Sequence, residues 1–270
     1  MGAIVITGST RGIGFGLAGA FLARGCSVVV SGRTQGAVDE ALAKLGAEPS
    51  RLIGVPCDVT SATDLQALWE RATAAFGSVD VWINNAGTCN AARAFADLAA
   101  SEVLAVIDTN MRGAMLGSHV AVRGLLRQGR GKLFNMEGWG SRGEWSRGLT
   151  AYGTTKRALR YFTDALVRET REAPIQVGTL SPGMVATDLL ISSWEHGLPE
   201  NWLRMKWLFH FVIDPPEPVC GWLAEKVLGN RRTGAHYTWM SPLRLLSRFF
   251  RPYYWRRKVF AGTALDRIGT

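Results

Sequence analysis

Six short apolar runs, separated by segments of helical length, place the strongest constraint on the fold of this 270-residue chain. The runs are rich in β-branched residues and lack polar alternation: AIVIT, SVVVS, RLIGVP, VDVWIN, KLFNM and IQVGTLS. Strands of this composition are buried on both faces, as in a parallel sheet covered by helices. The segments 14–24, 36–45, 62–76, 102–127 and 151–171 have the length of crossover helices. The pattern predicts one α/β domain with a doubly wound, Rossmann-like parallel sheet.

The first apolar run leads into a glycine-rich loop, TGSTRGIG, that opens the first predicted helix. Glycines at such a turn let main-chain N–H groups approach a pyrophosphate at the N-terminus of a helix. A glycine-rich run alone could be an ordinary turn, but the strand before it and the helix after it favour a dinucleotide site. We expect the dinucleotide to contact Gly8, Ser9, Thr10, Arg11, Gly12, Ile13 and Gly14.

The residues after the second predicted strand indicate which dinucleotide binds. In an NAD site, an acidic side chain about 20 residues beyond the loop binds the ribose hydroxyls. Here that region reads SGRT, which supplies Arg33 and Thr34 and no acid, and Arg11 lies within the loop itself. Guanidinium groups bind a 2′-phosphate through charge-assisted, bidentate hydrogen bonds. The sequence therefore favours NADP(H).

Four motifs, in this order, resemble those of the short-chain dehydrogenase/reductase family over residues 1 to about 190. They are TGxxxGxG at residues 7–14, NNAG at residues 84–87, YxxxK at Tyr152 and Lys156, and the turn at Pro182 and Gly183. The first and third carry most of the weight, and the spacing of all four makes the resemblance specific.

The resemblance implies further positions in the cofactor site. Near the adenine it implies Asp58 and Val59, and along the ribose Asn85, Ala86 and Gly87. For the nicotinamide carboxamide it implies Pro182, Gly183, Met184 and Thr187. It also implies that Asn110 supports the catalytic lysine, and that two long helices pair between subunits in a homodimer or homotetramer.

Tyr152 and Lys156 lie four residues apart, so a helix places both side chains on one face. A phenol with a pKa near 10 is a weak acid and a poor base at neutral pH. At an effective dielectric constant of ~20, a cation roughly 5 Å away would favour the phenolate by about 3 kcal/mol, or ~2 pKa units. We expect Tyr152 to exchange a proton with a carbonyl or alcohol oxygen, and both residues to contact the cofactor. The alternative is an incidental pair on a surface helix.

The stretch before Tyr152 departs from the family pattern. Most family members carry a serine thirteen residues before the tyrosine, where its hydroxyl binds the substrate oxygen. That position is Trp139 here, and the residue reached by counting from the fifth predicted strand is Gly138. Of two nearby serines, Ser146 lies in a predicted exposed turn and Ser141 in a glycine-flanked loop. We predict Ser141 as the oxygen donor, and the alternative is a site without a catalytic serine.

The same stretch resembles a subfamily, the chlorophyll b reductases, in FNMEGxGS, AYGTTKRALR and SPGMVATDLL. Those enzymes use NADPH to reduce the 7-formyl group of chlorophyll b, so the resemblance implies a lipophilic carbonyl substrate. The alternatives are a steroid, retinoid or fatty-acyl carbonyl, or a cofactor-binding scaffold or sensor without turnover.

The predicted core ends at residue 190, and residues 191–270 are predicted to form a substrate lid and a basic, aromatic C-terminal segment. Trp194, Trp202, Trp207, Phe209 and Phe211 could form an apolar pocket wall or pack the lid onto the core. Residues 226–265 contain nine Lys/Arg and no Asp/Glu, enough to explain the net charge of +9. Peripheral membrane contact and subunit packing are both compatible with this segment, whereas no recognised module supports nucleic-acid binding.

The sequence does not predict disulfides, a metal site, a signal peptide or a membrane-spanning helix. The four cysteines are scattered and contain no C-x-x-C pair, which predicts reduced thiols in a cytosolic or stromal type of compartment. The histidines show no ligand spacing, so we predict no metal site. The first residues enter an apolar strand directly, which predicts no signal peptide, and no apolar stretch approaches the ~18 residues of a membrane-spanning helix.

Overall fold

The computed structural model describes residues 2–195, 202–257 and 259, with side chains described for residues 2–191, 207–257 and 259. The strands are β1 (Ala3–Ile6), β2 (Ser27–Gly32), β3 (Leu52–Pro56), β4 (Val79–Asn84), β5 (Lys132–Met136), β6 (Gln176–Ser181), β7 (Met184–Val185), β8 (Ile213–Asp214) and β9 (Ala235–Thr238). Seven of them form one parallel sheet in the order β3-β2-β1-β4-β5-β6-β9, and β7 pairs separately with β8. The predicted doubly wound α/β fold is confirmed, and all six predicted strands are present.

Helices cover both faces of the sheet. They are α1 (Gly12–Leu22), α2 (Gln35–Leu45), α3 (Ala62–Phe76), α4 (Ala100–Ile107), α5 (Ala114–Gln128), α6 (Thr150–Glu169), α7 (Asp188–Glu195), α8 (Trp202–Val212), α9 (Pro216–Gly229), α10 (Pro242–Phe249) and α11 (Pro252–Arg256). Along β1, Ile4 and Ile6 pack towards α1 and α9, whereas Ala3 and Val5 pack towards α3 and α5. Because alternate side chains enter two apolar layers, the strand must be apolar throughout, which explains the unbroken hydrophobic runs.

The predicted helix over residues 102–127 is interrupted. Between α4 and α5 the chain forms a π-helical turn at Asp108–Gly113, which buries the Asn110 side chain. Gly113, the last residue of the turn, lies against Val59: a Cβ at Gly113 would be only 2.6 Å from Val59 Cγ2. Single π turns inside helices are frequent at functional sites. This turn places Asn110 beside the predicted catalytic helix.

The boundary predicted at residue 190 is wrong in one respect, because later residues complete the core. Helix α9 packs on α1 through Val219, Leu223 and Val227, and β9 extends the sheet beyond β6. The β9 strand, AHYT, was not predicted, because an edge strand with polar and aromatic residues lacks the apolar run that marked the others. Among the described residues, no helix combines the length and apolar character needed to cross a bilayer.

Candidate active site

The predicted site residues meet at the carboxyl end of the sheet, where the strand order reverses between β1 and β4. Open α/β sheets bind ligands in the crevice at this reversal. The glycine loop follows β1, the NNAG segment follows β4, and the Glu137–Gly138 segment follows β5. One crevice therefore receives two of the four motifs and the stretch that departs from the family pattern.

The glycine loop is held against the NNAG segment by hydrogen bonds. The hydroxyl of Thr7 accepts from the main-chain N–H groups of Asn85 and Ala86, at 3.0 and 3.1 Å. The Asn85 amide donates to the carbonyl oxygens of Thr7 and Gly8, both at 2.9 Å. Asn85 Nδ2 therefore braces the loop, and the position of Asn85 along the ribose stays a prediction.

Gly14 lies where α1 approaches the loop most closely. A Cβ at this position would lie 2.5 Å from both the carbonyl oxygen of Gly8 and Nδ2 of Asn85. Gly8 and Gly12 have φ angles of 60° and 58°, a left-handed conformation that favours glycine. Only glycines fit this path, which leaves main-chain atoms facing the crevice as a pyrophosphate requires. The loop therefore fits a dinucleotide.

Two loop residues serve the protein core instead of facing the crevice with their side chains. The Ser9 hydroxyl is fully buried, donates to the carbonyl of Ile6 at 2.7 Å and accepts from the N–H of Ser31 at 2.9 Å. The hydroxyl is therefore committed within the core, and the predicted contact of Ser9 with the dinucleotide stays a prediction. Ile13 packs partly into the core beside α9, so its side chain is structural as well.

The residues predicted for the adenosine end lie at the ends of β2 and β3. Thr10 packs on Gly32, so the loop and the end of β2 are adjacent, and both Arg11 and Arg33 are exposed. The Thr34 hydroxyl caps α2 by accepting from the N–H of Ala37. Hydrogen bonds from Thr60 lower the pKa of the Asp58 carboxyl, and the charges of Arg33 and Arg112 act in the same direction. Two exposed guanidiniums and one ionised carboxylate therefore border this end of the crevice.

The residues predicted for the nicotinamide end follow β6. Gly183 has a φ of 73°, and Pro182 before it is buried. Thr187 lies opposite the glycine loop, because a Cβ at Gly12 would meet its Cγ2 at 3.6 Å. Met184, in β7, packs against the apolar cluster that contains Phe209 and Ile213. The turn therefore places Thr187 at the crevice and directs the Met184 side chain towards the lid.

Tyr152 and Lys156 lie side by side on α6, as predicted. The Lys156 Nζ is 5.7 Å from the centre of the Tyr152 ring and donates to the carbonyl of Met136 at 3.1 Å. Within the described part of the chain, the Tyr152 hydroxyl makes no hydrogen bond. The phenol is therefore free to bind a substrate oxygen.

Asn110 connects the π turn to this pair indirectly. Its amide donates to the carbonyl of Thr88 at 2.9 Å and to the hydroxyl of Thr155 at 3.1 Å, and its oxygen accepts from the N–H of Thr88 at 2.8 Å. Gly87 lies between Asn110 and Lys156, since a Cβ there would be 3.4 Å from Oδ1 and 3.7 Å from Nζ. Asn110 therefore positions the NNAG segment against α6.

Burial changes the expected electrostatics of the Tyr152–Lys156 pair. Desolvation lowers the pKa of the Lys156 ammonium to about 8. Desolvation also raises the pKa of the Tyr152 phenol, and the Cys89 thiol acts in the same direction. This direction is opposite to the one expected from the spacing of the two residues, because in the protein by itself burial determines the pKa of the phenol. Tyr152 therefore keeps its proton at neutral pH, as a proton donor must.

The lowered pKa of Lys156 predicts a pH dependence. The value of kcat/KM for the dinucleotide should fall above pH about 8, as the free enzyme loses the ammonium charge that attracts an anionic cofactor. A Lys156→Arg variant, whose charge persists, should show no such fall. If the wild-type kcat/KM stays constant beyond the pH range in which ordinary lysines lose their proton, the lowered pKa of Lys156 is contradicted.

The structure answers the question of the missing serine. Gly138 faces the phenol, because a Cβ at this position would overlap the Tyr152 hydroxyl. The Ser141 hydroxyl donates to the carbonyl of Gly138 at 2.5 Å and accepts from the N–H of Gly138 at 3.0 Å. Ser141 is buried with its hydroxyl occupied by its own loop, so the predicted role as oxygen donor is wrong. The Tyr152 hydroxyl itself occupies the space that a side chain at position 138 would take.

Replacing Ser141 by alanine should lower the free energy of unfolding by about 1–3 kcal/mol, because two buried main-chain groups of Gly138 lose their partner. Urea denaturation measures this loss. The matched control is Ser146→Ala, at the other serine of the loop, which should change stability by less than about 0.5 kcal/mol. Full stability combined with a large loss of turnover in Ser141→Ala would restore Ser141 as the donor.

Two residues beside the pair were not predicted as site residues. Glu137 is buried, pairs with Arg160 at 3.0 Å, and its charge acts to raise the pKa of Lys156. Asn90 accepts from the N–H of Tyr152 at 3.3 Å and donates to the carbonyl of Gly148 at 2.8 Å, which ties the start of α6 to the NNAG segment. Both act through tertiary contacts, for which a single sequence carries no periodic signal.

The lid aromatics whose side chains are described pack on two different parts of the chain. Phe211 is buried and stacks on Phe249 of α10 with ring centres 4.6 Å apart, and Trp255 of α11 lies against it at 4.9 Å. Phe209 is buried in the cluster that contains Met184, whereas Trp207 is largely exposed. The Trp194 and Trp202 side chains lie outside the described residues. Phe209 and Phe211 therefore stabilise the lid, and the apolar pocket wall stays a prediction.

Comparison with known sequences agrees with this geometry. The family described as short chain dehydrogenase matches residues 2–197. The chain is 33% identical over 261 residues to the probable chlorophyll(ide) b reductase NYC1 of Oryza sativa subsp. japonica, covering 90% of this chain and 50% of that protein. It is 34% identical over 238 residues to the chlorophyll(ide) b reductase NOL of Arabidopsis thaliana, covering 86% of this chain and 67% of that protein.

Comparison with solved structures supports the fold. The crystal structure of an actinorhodin polyketide ketoreductase with NADPH superposes with a TM-score of 0.78 at 25% identity, covering 90% of this chain and 97% of that one. The present chain spans about half the length of the NYC1 relative.

Proposed function

Because this chain belongs to the short-chain dehydrogenase/reductase family, we propose that it is an NADPH-dependent carbonyl reductase acting on the 7-formyl group of chlorophyll b. The observation that carries the reaction type is a protonated, unbonded Tyr152 phenol beside Lys156, in the same crevice as a glycine loop shaped for a dinucleotide. The similarity to chlorophyll(ide) b reductases over most of the chain supports the substrate.

The residues of the chain define its part in the reaction. Bound NADPH supplies a hydride to the carbonyl carbon. The Tyr152 hydroxyl binds the carbonyl oxygen and gives it a proton, so the aldehyde becomes an alcohol. Lys156, held by the carbonyl of Met136, places a positive charge near the phenolate that remains. Asn110 keeps the NNAG segment and α6 in register while this proton moves.

Gly138 lets the phenol pack directly against the main chain that follows β5. Where the family resemblance implies a serine side chain, this chain has only a hydrogen atom, and a Cβ there would overlap the Tyr152 hydroxyl. The phenol therefore takes the space of that side chain, and the site lacks one preorganised hydrogen bond to the substrate oxygen.

A comparison of substrates tests this proposal. Chlorophyll b should be reduced with a higher kcat/KM than a steroid ketone, retinal or a fatty-acyl ketone, measured as NADPH loss and as formation of the hydroxymethyl product. A higher kcat/KM for one of the other carbonyls would assign the chain to that class. Binding of NADPH without turnover of any of them would favour a scaffold or sensor.

The preference for NADPH is proposed from Arg33 and Arg11, the exposed guanidiniums at the adenosine end. Replacing Arg33 by aspartate should weaken NADPH binding by about 10²-fold and improve NADH binding, because a charge-assisted contact becomes a repulsion. Fluorescence titration of both dinucleotides measures the change. Arg71→Asp, at an exposed arginine of α3, is the control and should alter neither affinity. Equal weakening of NADPH and NADH by Arg33→Asp would contradict the assignment.

We also propose that α4, α5 and α6 pair with a second copy of the chain. Their exposed surfaces carry large apolar side chains that are unusual on a monomer: Leu104, Ile107, Met115, Leu126 and Tyr161. Burying them against the same face of a second subunit would form an isologous dimer. Sedimentation equilibrium of wild type and a Leu104→Glu/Ile107→Glu variant tests this, and a monomeric wild type would contradict it.

A further inference from the structure

Helix α10 turns its arginines towards the protein and two of its leucines outward. Arg248 is 1% exposed, whereas Leu243 is 80% exposed and Leu246 is 56% exposed. Phe250, at the end of α10, and Tyr253 and Trp255, in α11, are also exposed. A helix on a water-facing surface has the opposite arrangement. We call Leu243, Leu246, Phe250, Tyr253 and Trp255 the apolar face.

A pocket of about 380 Å³ adjoins the apolar face, since Tyr253 lines both. Four arginines contribute to its wall, together with a single carboxylate: Arg244, Arg248, Arg251, Arg257 and Asp214. Its volume lies within the range of about 300–1,000 Å³ typical of sites for small molecules. We call it the arginine pocket.

The arginine pocket holds more positive charge than its carboxylate can balance. Asp214 accepts from Arg248 at 2.5 Å, from Arg257 at 3.0 Å and from the indole N–H of Trp239 at 2.6 Å. These three groups use most of the acceptor capacity of the Asp214 carboxylate, which is about four sites. Within the described residues, Arg244 and Arg251 form no ion pair, and Arg244 lies 3.6 Å above the ring of Trp239. The pocket keeps a surplus of positive charge.

One buried donor of the pocket has no partner. Arg248 Nε is inaccessible to solvent and makes no hydrogen bond, which is costly for a charged group. Burial lowers the pKa of Arg244, and the charges of Arg248 and Arg251 act in the same direction. A bound anion would offset these charges and accept from guanidinium N–H groups that line the pocket. The charge of the pocket therefore favours an acidic group.

We propose that the arginine pocket binds the phosphate of an anionic phospholipid while the apolar face lies in the interfacial region of the membrane. Apolar burial and charge attraction add at an anionic bilayer, and the tryptophan and tyrosine of the face are residues enriched at that depth. An acidic protein partner would satisfy the arginines, but five exposed apolar side chains next to them match the two-part chemistry of a lipid. This proposal concerns residues outside the catalytic crevice and does not depend on the identity of the carbonyl substrate.

Vesicle sedimentation tests the proposal with the full chain. Vesicles of phosphatidylcholine alone are compared with vesicles that contain one-third phosphatidylglycerol. Since each basic residue near an anionic surface contributes roughly a fivefold gain in binding, the wild type should bind the anionic vesicles more than about 20-fold better. Raising the salt concentration should reduce this difference, because the headgroup charges become screened.

Two double variants, each with a single-substitution control, separate the role of the arginine pocket from that of the apolar face. Arg244→Gln/Arg251→Gln should lose about 20-fold in binding to anionic vesicles and nothing on neutral ones, whereas Arg168→Gln, at an exposed arginine of α6, should bind as wild type. Leu246→Ser/Phe250→Ser should bind both vesicles at least about tenfold more weakly, and Phe95→Ser, at an exposed phenylalanine elsewhere, should not. NADPH binding by each variant shows that the core remains folded.

Three results would overturn the proposal. The first is that the wild type binds neither type of vesicle. This result would overturn the proposal even if the wild type bound inorganic phosphate. The second is equal binding to neutral and anionic vesicles, which would leave the arginines without a role. The third is a wild-type oligomer that Leu246→Ser/Phe250→Ser dissociates while vesicle binding is absent, which would make the apolar face a subunit interface.

Discussion

Replacing Tyr152 by phenylalanine should lower kcat for carbonyl reduction by about 10²–10⁴-fold. The phenol is the one hydroxyl placed beside Lys156, and the described residues offer no alternative there, since Ser141 is bonded to Gly138 and no side chain stands at Gly138 itself. Burial keeps the phenol protonated, so its loss removes the proton donor and not merely a hydrogen bond. Single-turnover reduction measured at saturating NADPH isolates the chemical step from binding.

The control for this change lies on the same helix. Tyr161, in α6, is 78% exposed, so Tyr161→Phe should leave kcat unchanged. NADPH should bind Tyr152→Phe nearly as tightly as wild type, because the glycine loop and the arginines remain. A Tyr152→Phe variant that retains most of its turnover would require a different proton donor and would contradict the assignment.

Replacing Gly14 by alanine should weaken dinucleotide binding by at least about 100-fold and destabilise the fold by about 1–3 kcal/mol. The added Cβ would lie 2.5 Å from the Gly8 carbonyl oxygen, which is main chain and cannot move aside alone. It would also push Asn85, whose amide holds Thr7 and Gly8 in place. The loop would open, and the path that faces the pyrophosphate would be lost.

Helix α1 provides the matched control for the glycine. A Cβ at Gly19, in the same helix, would meet only Leu45 Cδ2, at an ordinary contact distance of 3.7 Å. Gly19→Ala should therefore bind NADPH as wild type and be more stable by about 0.5–1 kcal/mol, because alanine favours a helix. Isothermal calorimetry and urea denaturation measure the two effects. Equal NADPH affinities for the Gly14 and Gly19 variants would show that the cofactor does not approach this loop.

The fold was largely predictable because its strands are buried on both faces. Continuous apolar composition marks β1, β2 and β4 without any tertiary information. The signal fails at β9, which lies at the sheet edge and keeps polar residues. It also fails at Asp108–Gly113, where contacts of Asn110 with Thr88 and Thr155 favour a π turn within an otherwise helical pattern.

The site was predictable only as far as its residues are spaced in motifs. Glycines at fixed intervals and a tyrosine four residues before a lysine identify Gly14, Tyr152 and Lys156. Ser141 was misassigned because sequence distance does not show that a hydroxyl bonds to its own loop. The pKa of Tyr152 was misjudged because the cost of burial depends on packing around the phenol, which spacing does not describe.

Transfer of deuterium from deuterated NADPH to chlorophyll b is the most direct measurement of the proposed reaction. Reduction through the crevice predicts one deuterium on the carbon of the new hydroxymethyl group with wild type, and almost none with Tyr152→Phe at the same saturation with cofactor. Saturated binding of NADPH without deuterium in any product, from chlorophyll b or the other carbonyls, would show that this chain does not perform the reaction.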